Sequence, residues 1–351
     1  MPGKRIIKGE GMKKTARRWL CCVLLLALLV CMTACGAQKT QLEKTAEYLQ
    51  AQITEPTCAS VGGEWLVFGL ARSGVRVPQK YFDTYYGNLE AYVQESGGIL
   101  SARKYTEYSR VILVLTAIGK DPANVAGYDL LLPLGDFEGT VNQGINGAIF
   151  ALLALDSGGY EVPENPEAAV QATRQMYVDE ILCAEAPEGG WGFSGGETDA
   201  DLTAMALQAL AKYRGQPGVK EAAERGVTAL ARMQAADGSF SSWDEASSES
   251  VSQVIVALTE LGIGLDDARF VKDGQTLEDV LLRFARESGA FGHTISGGGD
   301  EMATEQALYA LAAIARAEAG KTTLYDMSDV KKETVKKQEL FDSGAAPRLR
   351  A

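Results

Sequence analysis

The chain has 351 residues, of which 46% are hydrophobic, with 34 Lys/Arg against 46 Asp/Glu and a formal net charge of −12. That hydrophobic share belongs to globular proteins and excludes a largely disordered chain. The acidic balance repels nucleic acid and anionic membrane surfaces, so no nucleic-acid partner is expected.

In chain order, residues 1–34 read as a lipoprotein signal peptide and are set aside from the fold. Lys13, Lys14, Arg17 and Arg18 form a positive region and Trp19 to Val30 an apolar core. Met32-Thr33-Ala34-Cys35 resembles a lipobox, whose cysteine is acylated after cleavage. The apolar run is shorter than the ~20 residues a membrane span needs, which argues against a transmembrane anchor. Cleavage removes seven Lys/Arg and one Asp/Glu, and so leaves a net charge near −18. The expectation is an extracytoplasmic protein held to the bacterial cell membrane by lipid on Cys35, with residues 35–39 as linker. Of the six cysteines, Cys58 and Cys183 then remain beside Cys35. With no CxxC and no dense spacing, neither a zinc cluster nor a disulfide scaffold is indicated; a single Cys58–Cys183 bridge stays open.

From residue 40 the text alternates between two kinds of helix. Thr40 to Ile53, Tyr81 to Val93, a short segment Val125 to Leu134, Asn165 to Cys183, Val219 to Gln234 and Thr276 to Arg286 carry one apolar stripe. Between them lie segments apolar on most of their circumference: Trp65 to Ala71, Tyr108 to Ile118, Ile145 to Leu155, the helix after Asp199, Ser250 to Leu261 and Thr304 to Ile314. A helix apolar all round must be buried all round, whereas a striped one can face water. Six of each give an all-α (α/α)6 toroid over residues 40–324, six inner helices ringed by six outer ones. Closing the ring hides the ends that an open superhelix would have to cap. Residues 325–351, rich in lysine and without an apolar face, read as a disordered tail.

Arg225-Gly226 through Leu230, Gln234 and Gly238-Ser239-Phe240 resembles the QW repeat of squalene–hopene cyclases, with Phe240 in the tryptophan's place. Weaker copies lie at Gln94–Gly97 and Glu287–Phe291. The chain is thereby similar to the terpenoid cyclase and protein prenyltransferase α/α-toroid superfamily, and within it to the α-domain of the cobalamin carriers intrinsic factor and transcobalamin. The resemblance implies the fold; function has to be argued from the site.

In such a toroid the loops entering the inner helices gather at one mouth, where helix N-termini present unpaired N–H groups. The candidates there are Glu64 and Trp65 at the first entry, then Tyr105, Tyr108 and Arg110, then Asn142, Gln143 and Asn146. Trp191, Phe193, Asp199 and Asp201 stand at the fourth entry, Ser248, Ser250 and Gln253 at the fifth, and His293, Asp300, Thr304, Glu305 and Tyr309 at the sixth. Each of Asp199, Ser248 and Asp300 taken alone reads as a helix cap; gathered at one rim, the set reads as a ligand site. Asp199-Ala200-Asp201-Leu202-Thr203-Ala204 resembles the DxDDTA acid of class II terpene cyclases, which implies Asp201 as the acid beside Asp199, although Leu202 stands where that motif has its last aspartate. A prenyltransferase zinc would need Asp, Cys and His together, and Cys183 and the sole histidine, His293, do not promise to meet. Gly190–Gly195 satisfies GxGxxG without a preceding strand and is set aside. No metal or cofactor is expected. The leading reading is a non-catalytic binding protein that captures a small molecule (a corrinoid, by the carrier resemblance), a peptide or a glycan, with a partner protein as one way of covering the mouth. A cyclase-like enzyme using Asp201 and a purely structural surface protein are the alternatives.

Overall fold

The computed structural model describes residues 39–193, 196–242 and 245–332. The expected signal peptide and lipid-bearing Cys35 lie outside the described residues, as do residues 333–351, and the compact unit containing the fold begins at Gln41. Among the described residues there are twelve α-helices. Six form the inner ring: α2 (Trp65–Ser73), α4 (Thr106–Ala117), α6 (Ile145–Ser157), α8 (Ala200–Leu210), α10 (Ser248–Glu260) and α12 (Glu301–Glu318). Six lie outside them: α1 (Gln41–Gln52), α3 (Gln79–Glu95), α5 (Phe137–Val141), α7 (Arg174–Cys183), α9 (Val219–Met233) and α11 (Leu277–Leu282).

Burial separates the two rings as the apolar patterning requires. Inner α10 buries eleven of its thirteen residues, while outer α3 buries three of seventeen. Each inner helix packs on the next, and α12 returns to pack on α2, so the ring closes and the open superhelix is excluded. The fold is an all-α (α/α)6 toroid. The QW-like segment has a structural job within it. Gly226 on α9 lets Trp191 lie against the helix, where a Cβ would come within 2.8 Å of the indole. Gln234 donates to the Gly238 and Phe270 carbonyls at 3.1 and 2.9 Å, and Phe240 is buried.

Three outer segments differ from expectation. Ala126 and Gly127 take positive φ values of 50° and 90°, so Val125–Leu134 turns instead of winding, and the outer helix there is α5. Asn165 does not open a long helix: its Oδ1 accepts from the Glu167 N–H in a local turn, and Gln171 pairs with Asp136 in an extended bridge. The helix starts only after Thr173, whose hydroxyl accepts from the Met176 N–H at 3.2 Å. The Thr276/Asp279 capping box forms, but α11 ends at Leu282.

The expected tail boundary at Tyr325 is corrected. Leu324, Tyr325 and Met327 are buried, so the chain continues as a strap across the C-terminal ends of the inner helices. Arg72 Nε donates to the Leu324 carbonyl at 2.9 Å, and Asp329 takes Arg72 Nη1 at 2.8 Å and also pairs with Arg316. Partial burial alone would raise the Asp329 carboxyl, but the hydrogen bonds from Arg316 and Arg72 pull it down to about 2. A depressed carboxyl stabilises the fold above its ordinary range, and the contribution is lost as pH falls through about 2. Asp329→Asn is expected to cost roughly 1–3 kcal/mol, read as a lower urea midpoint at pH 7.

Candidate functional site

The inner helices run parallel, so their N-terminal ends share one mouth and their C-terminal ends the other. At the N-terminal mouth Glu64, which precedes α2, approaches Arg110 of α4 at 3.8 Å, and Glu305 of α12 accepts from the Gly62 N–H at 2.8 Å. At the opposite end Asp156 of α6 meets Lys212 and Tyr213 beyond α8, and Glu260 of α10 accepts from the Tyr325 N–H at 3.0 Å.

The N-terminal mouth is lined by polar groups that the fold leaves incomplete. Six buried side-chain polar atoms among the described residues lack a hydrogen-bond partner, and four lie here: Arg110 Nε, Asn146 Oδ1, Asp201 Oδ1 and Glu305 Oε2. Each such atom costs about 1–3 kcal/mol when left unsatisfied, so four of them on one surface need an explanation other than stability.

Its carboxyls are shifted towards the neutral form. Burial pushes Glu64 up to about 7, against the lowering pull of Arg110 and of hydrogen bonds from Tyr85, at 3.0 Å, and from Cys58. Burial likewise pushes Glu305 up to about 8, with Glu301 and Glu64 adding repulsion and the Gly62 N–H opposing. Asp201 rises to about 6, again chiefly by burial, with a Ser250 hydrogen bond lowering it and Asp199 and Glu249 raising it. Removing the Tyr85 hydroxyl takes away a bond to the charged form. Tyr85→Phe is therefore expected to move Glu64 above about 7, followed through the carboxyl carbon shift in an NMR titration.

Below the polar ring the bore is floored. Trp65 meets Phe150 and Tyr309 at centroid distances of 5.9 and 6.0 Å. Gln208 Nε2 donates to Gln253 Oε1 at 3.0 Å, and Gln253 Nε2 donates to Gln306 Oε1 and Tyr309 Oη at 3.0 and 2.7 Å. Aromatics from three helices and an amide chain across three thus span the bore.

Not every candidate faces this mouth. Trp191 is fully buried and its indole N–H donates to the Ile181 carbonyl at 2.6 Å, so it belongs to the outer packing. Tyr108 is buried with its hydroxyl accepting from the Leu100 N–H, and Thr304 is spent on the Phe291 backbone. Asp199 and Asp300 cap α8 and α12, accepting from the Leu202 and Ala303 N–H groups at 2.9 Å each. Trp191, Tyr108 and Thr304 are corrections, buried with their polar atoms bonded to backbone, whereas Asp199 and Asp300 act as the helix caps that each read as by itself. Ser250 is buried but touches Asp201. Asn142 is exposed at the rim, Gln143 accepts from Thr106, and Phe193 is 58% exposed. Tyr105 and Ser248 sit at their helix entries, Ser248 donating its N–H to the His293 carbonyl at 3.0 Å. His293 Nδ1 lies 2.9 Å from Glu249, whose hydrogen bond holds the imidazole above its usual range. Glu64, Trp65, Arg110, Asn146, Asp201, Gln253 and Glu305, with Tyr309, come together at this mouth and remain the candidates.

Sequence reasoning missed Phe150, Gln208 and Gln306 in the floor. Phe150 was legible in principle, since it stands four residues after Asn146 and therefore on the same face, one turn deeper. Cys58 and Cys183 are both free. No group of His, Cys, Asp and Glu among the described residues has the arrangement of a metal site, and no helix among them is long and apolar enough to cross a membrane.

A cavity of about 250 Å³ lies at the opposite end, lined by Asp156, Gln208, Lys212, Glu260 and Tyr325 among others. Its acids are already engaged, Asp156 by Arg174 and Tyr213 and Glu260 by Tyr325. Unmet bonding capacity therefore points to the N-terminal mouth and away from that cavity.

No protein-family profile matches the chain, and no curated protein does either. Solved structures do. The unsaturated glucuronyl hydrolase of Bacillus sp. GL1, responsible for degradation of glycosaminoglycan, superposes with a TM-score of 0.50 at 16% identity, over 82% of this chain and 97% of that one. The type II terpene cyclase MstE from Scytonema, in complex with its product merosterolic acid A, gives a TM-score of 0.51 at 14% identity, over 79% and 97%. At these identities the likeness establishes the α/α-toroid fold alone. It lends the cobalamin-carrier resemblance no support.

Proposed function

We propose that the chain is a lipid-anchored extracytoplasmic protein that binds a saccharide at the N-terminal mouth of the toroid. The observation that carries this reading is the set of four buried polar atoms without a hydrogen bond, on Asn146, Asp201, Glu305 and Arg110, whose Nε only approaches Glu64 at 3.8 Å, above an aromatic floor. Sugar hydroxyls both donate and accept, so one ring can satisfy a guanidinium nitrogen, an amide oxygen and carboxyl groups together, while its C–H face lies on Trp65. A terpenoid hydrocarbon would leave the carboxyl and amide oxygens of the mouth without hydrogen bonds. The glycosaminoglycan-degrading hydrolase adds a fold-level precedent for sugar chemistry on this scaffold. The reading is tested by titrating the chain with a monosaccharide panel and following tryptophan fluorescence; no response from any member sinks it.

A second reading, catalysis, is favoured by one observation. Asp201 is held near 6, so close to neutral pH it divides between acid and base forms, as a general acid must. Asp201→Asn separates the two readings. A binding protein keeps most of its affinity, whereas an enzyme keeps binding and loses a turnover that the unaltered protein displays.

The anchor is proposed from residues 1–35 of the sequence. Metabolic labelling with palmitate should mark the protein, and Cys35→Ala should abolish the label and release the protein from the membrane fraction. Unchanged labelling would refute lipidation at Cys35.

A further inference from the structure

Glu305 is a buried acid that the fold uses only by half. It is 1% exposed; Oε1 accepts from the Gly62 N–H at 2.8 Å, and Oε2 has no hydrogen bond. The charges around it are of its own sign. Glu301, one turn earlier on α12, borders the same glycine, since a Cβ on Gly62 would stand 3.1 Å from Glu301 Oε1. Glu301, Glu64 and Asp300 all repel the ionised form of Glu305. Tyr81 of α3 faces it as a phenol whose proton goes to the Ile53 carbonyl. Asp201 repeats the pattern, with Oδ1 buried and unbonded and with Asp199 and Glu249 as charged neighbours. Cations at this mouth attend other groups. Arg110 Nε lies 3.8 Å from Glu64 and His293 Nδ1 2.9 Å from Glu249, while Arg286 is spent on the carbonyls of Phe284, Thr294 and Gly297. A buried carboxyl without a cation either keeps its proton or draws a cation to itself. No group of these residues has the arrangement of a metal site, so the charge that suits them is one carried on the sugar.

We infer that the mouth selects an amino sugar, a saccharide whose free ammonium group donates to Glu305 Oε2, over neutral sugars and against uronic acids. A hydrogen bond between an ammonium and a carboxylate is roughly twice as strong as one between neutral partners. A uronate would instead meet Glu64, Glu301 and Asp300 with like charge. The inference rests on the saccharide reading and adds to it the charge of the sugar.

The test uses the full chain in detergent micelles, with glucosamine, N-acetylglucosamine, glucose and glucuronic acid as probes at pH 7 and tryptophan fluorescence as the readout. Glucosamine should bind about tenfold more tightly than N-acetylglucosamine or glucose, and glucuronic acid most weakly. The ammonium needs the ionised carboxyl, so glucosamine binding should strengthen from pH 5 to pH 7, as Glu305, raised to about 8, gives up its proton more readily. Glu305→Gln keeps the shape of the protonated acid and should bring glucosamine down to the level of N-acetylglucosamine. Equal binding of glucosamine and N-acetylglucosamine, a lead for glucuronic acid, or a glucosamine advantage unchanged in Glu305→Gln overturns the inference and leaves the saccharide reading standing. Competition by the amide of N-acetyl-lysine with a free side-chain ammonium, as strong as that of glucosamine, would show that the amine is recognised without a sugar and overturns both. So does silence from every sugar.

Discussion

Unfolded in urea at pH 5 and again at pH 8, the protein is expected to be more stable at the lower pH, by roughly 2–4 kcal/mol. Glu64, Asp201 and Glu305 are raised to about 7, 6 and 8, in each case mainly by burial. The folded chain therefore holds protons that the unfolded chain releases. Stability from a raised carboxyl is fully present below its ordinary range and is lost as pH climbs through the raised value, so for these three the loss runs from about 4 to about 8. Glu260, pushed up to about 7 by burial, and His293, raised by Glu249, act in the same direction. The depressed carboxyls, Asp329 and Asp267 at about 2, titrate below this window and do not oppose it. A tenfold change in a group's proton affinity on folding corresponds to about 1.36 kcal/mol, and water reaching the mouth screens part of the sum. Glu305→Gln should flatten the slope. A profile level from pH 5 to 8 would show that the mouth solvates its carboxyls like an open surface.

Trp65→Ala is expected to weaken saccharide binding by at least about thirtyfold, the effect of losing a binding hot spot worth about 2 kcal/mol or more. Among the described residues Trp65 is the one ring that touches both Phe150 and Tyr309, so its loss opens the floor as well as removing the platform. Trp65→Phe keeps an aromatic face and should recover most of the affinity. Equal binding by all three proteins would mean that the ligand sits elsewhere.

The ring architecture was legible because its cause is periodic. Segments such as INGAIFALLAL can be buried only by neighbours on every side, and six of them alternating with striped helices leave few other arrangements. The candidate site was legible only as a place. Helix entries identified Glu64, Arg110, Asn146, Asp201 and Glu305, but Trp191 and Thr304 occur at equivalent entries and turn into the packing. Which way a side chain faces there depends on tertiary partners, such as Ile181 for Trp191, that no local spacing encodes. The strap was missed for a related reason: Leu324, Tyr325 and Met327 form no periodic pattern, and Asp329 finds Arg72 across 257 residues. Val125–Leu134 failed at shorter range, where the positive φ of Ala126 and Gly127 ends any helix.

The central claim is that ligand binds at the N-terminal mouth, and hydrogen–deuterium exchange of the full chain with and without a saturating sugar tests it most directly. The account predicts slower exchange confined to the first turns of the inner helices, around Glu64, Arg110, Asn146, Asp201, Gln253 and Glu305. Protection centred instead on Asp156, Glu260 and Tyr325 at the opposite end would contradict it.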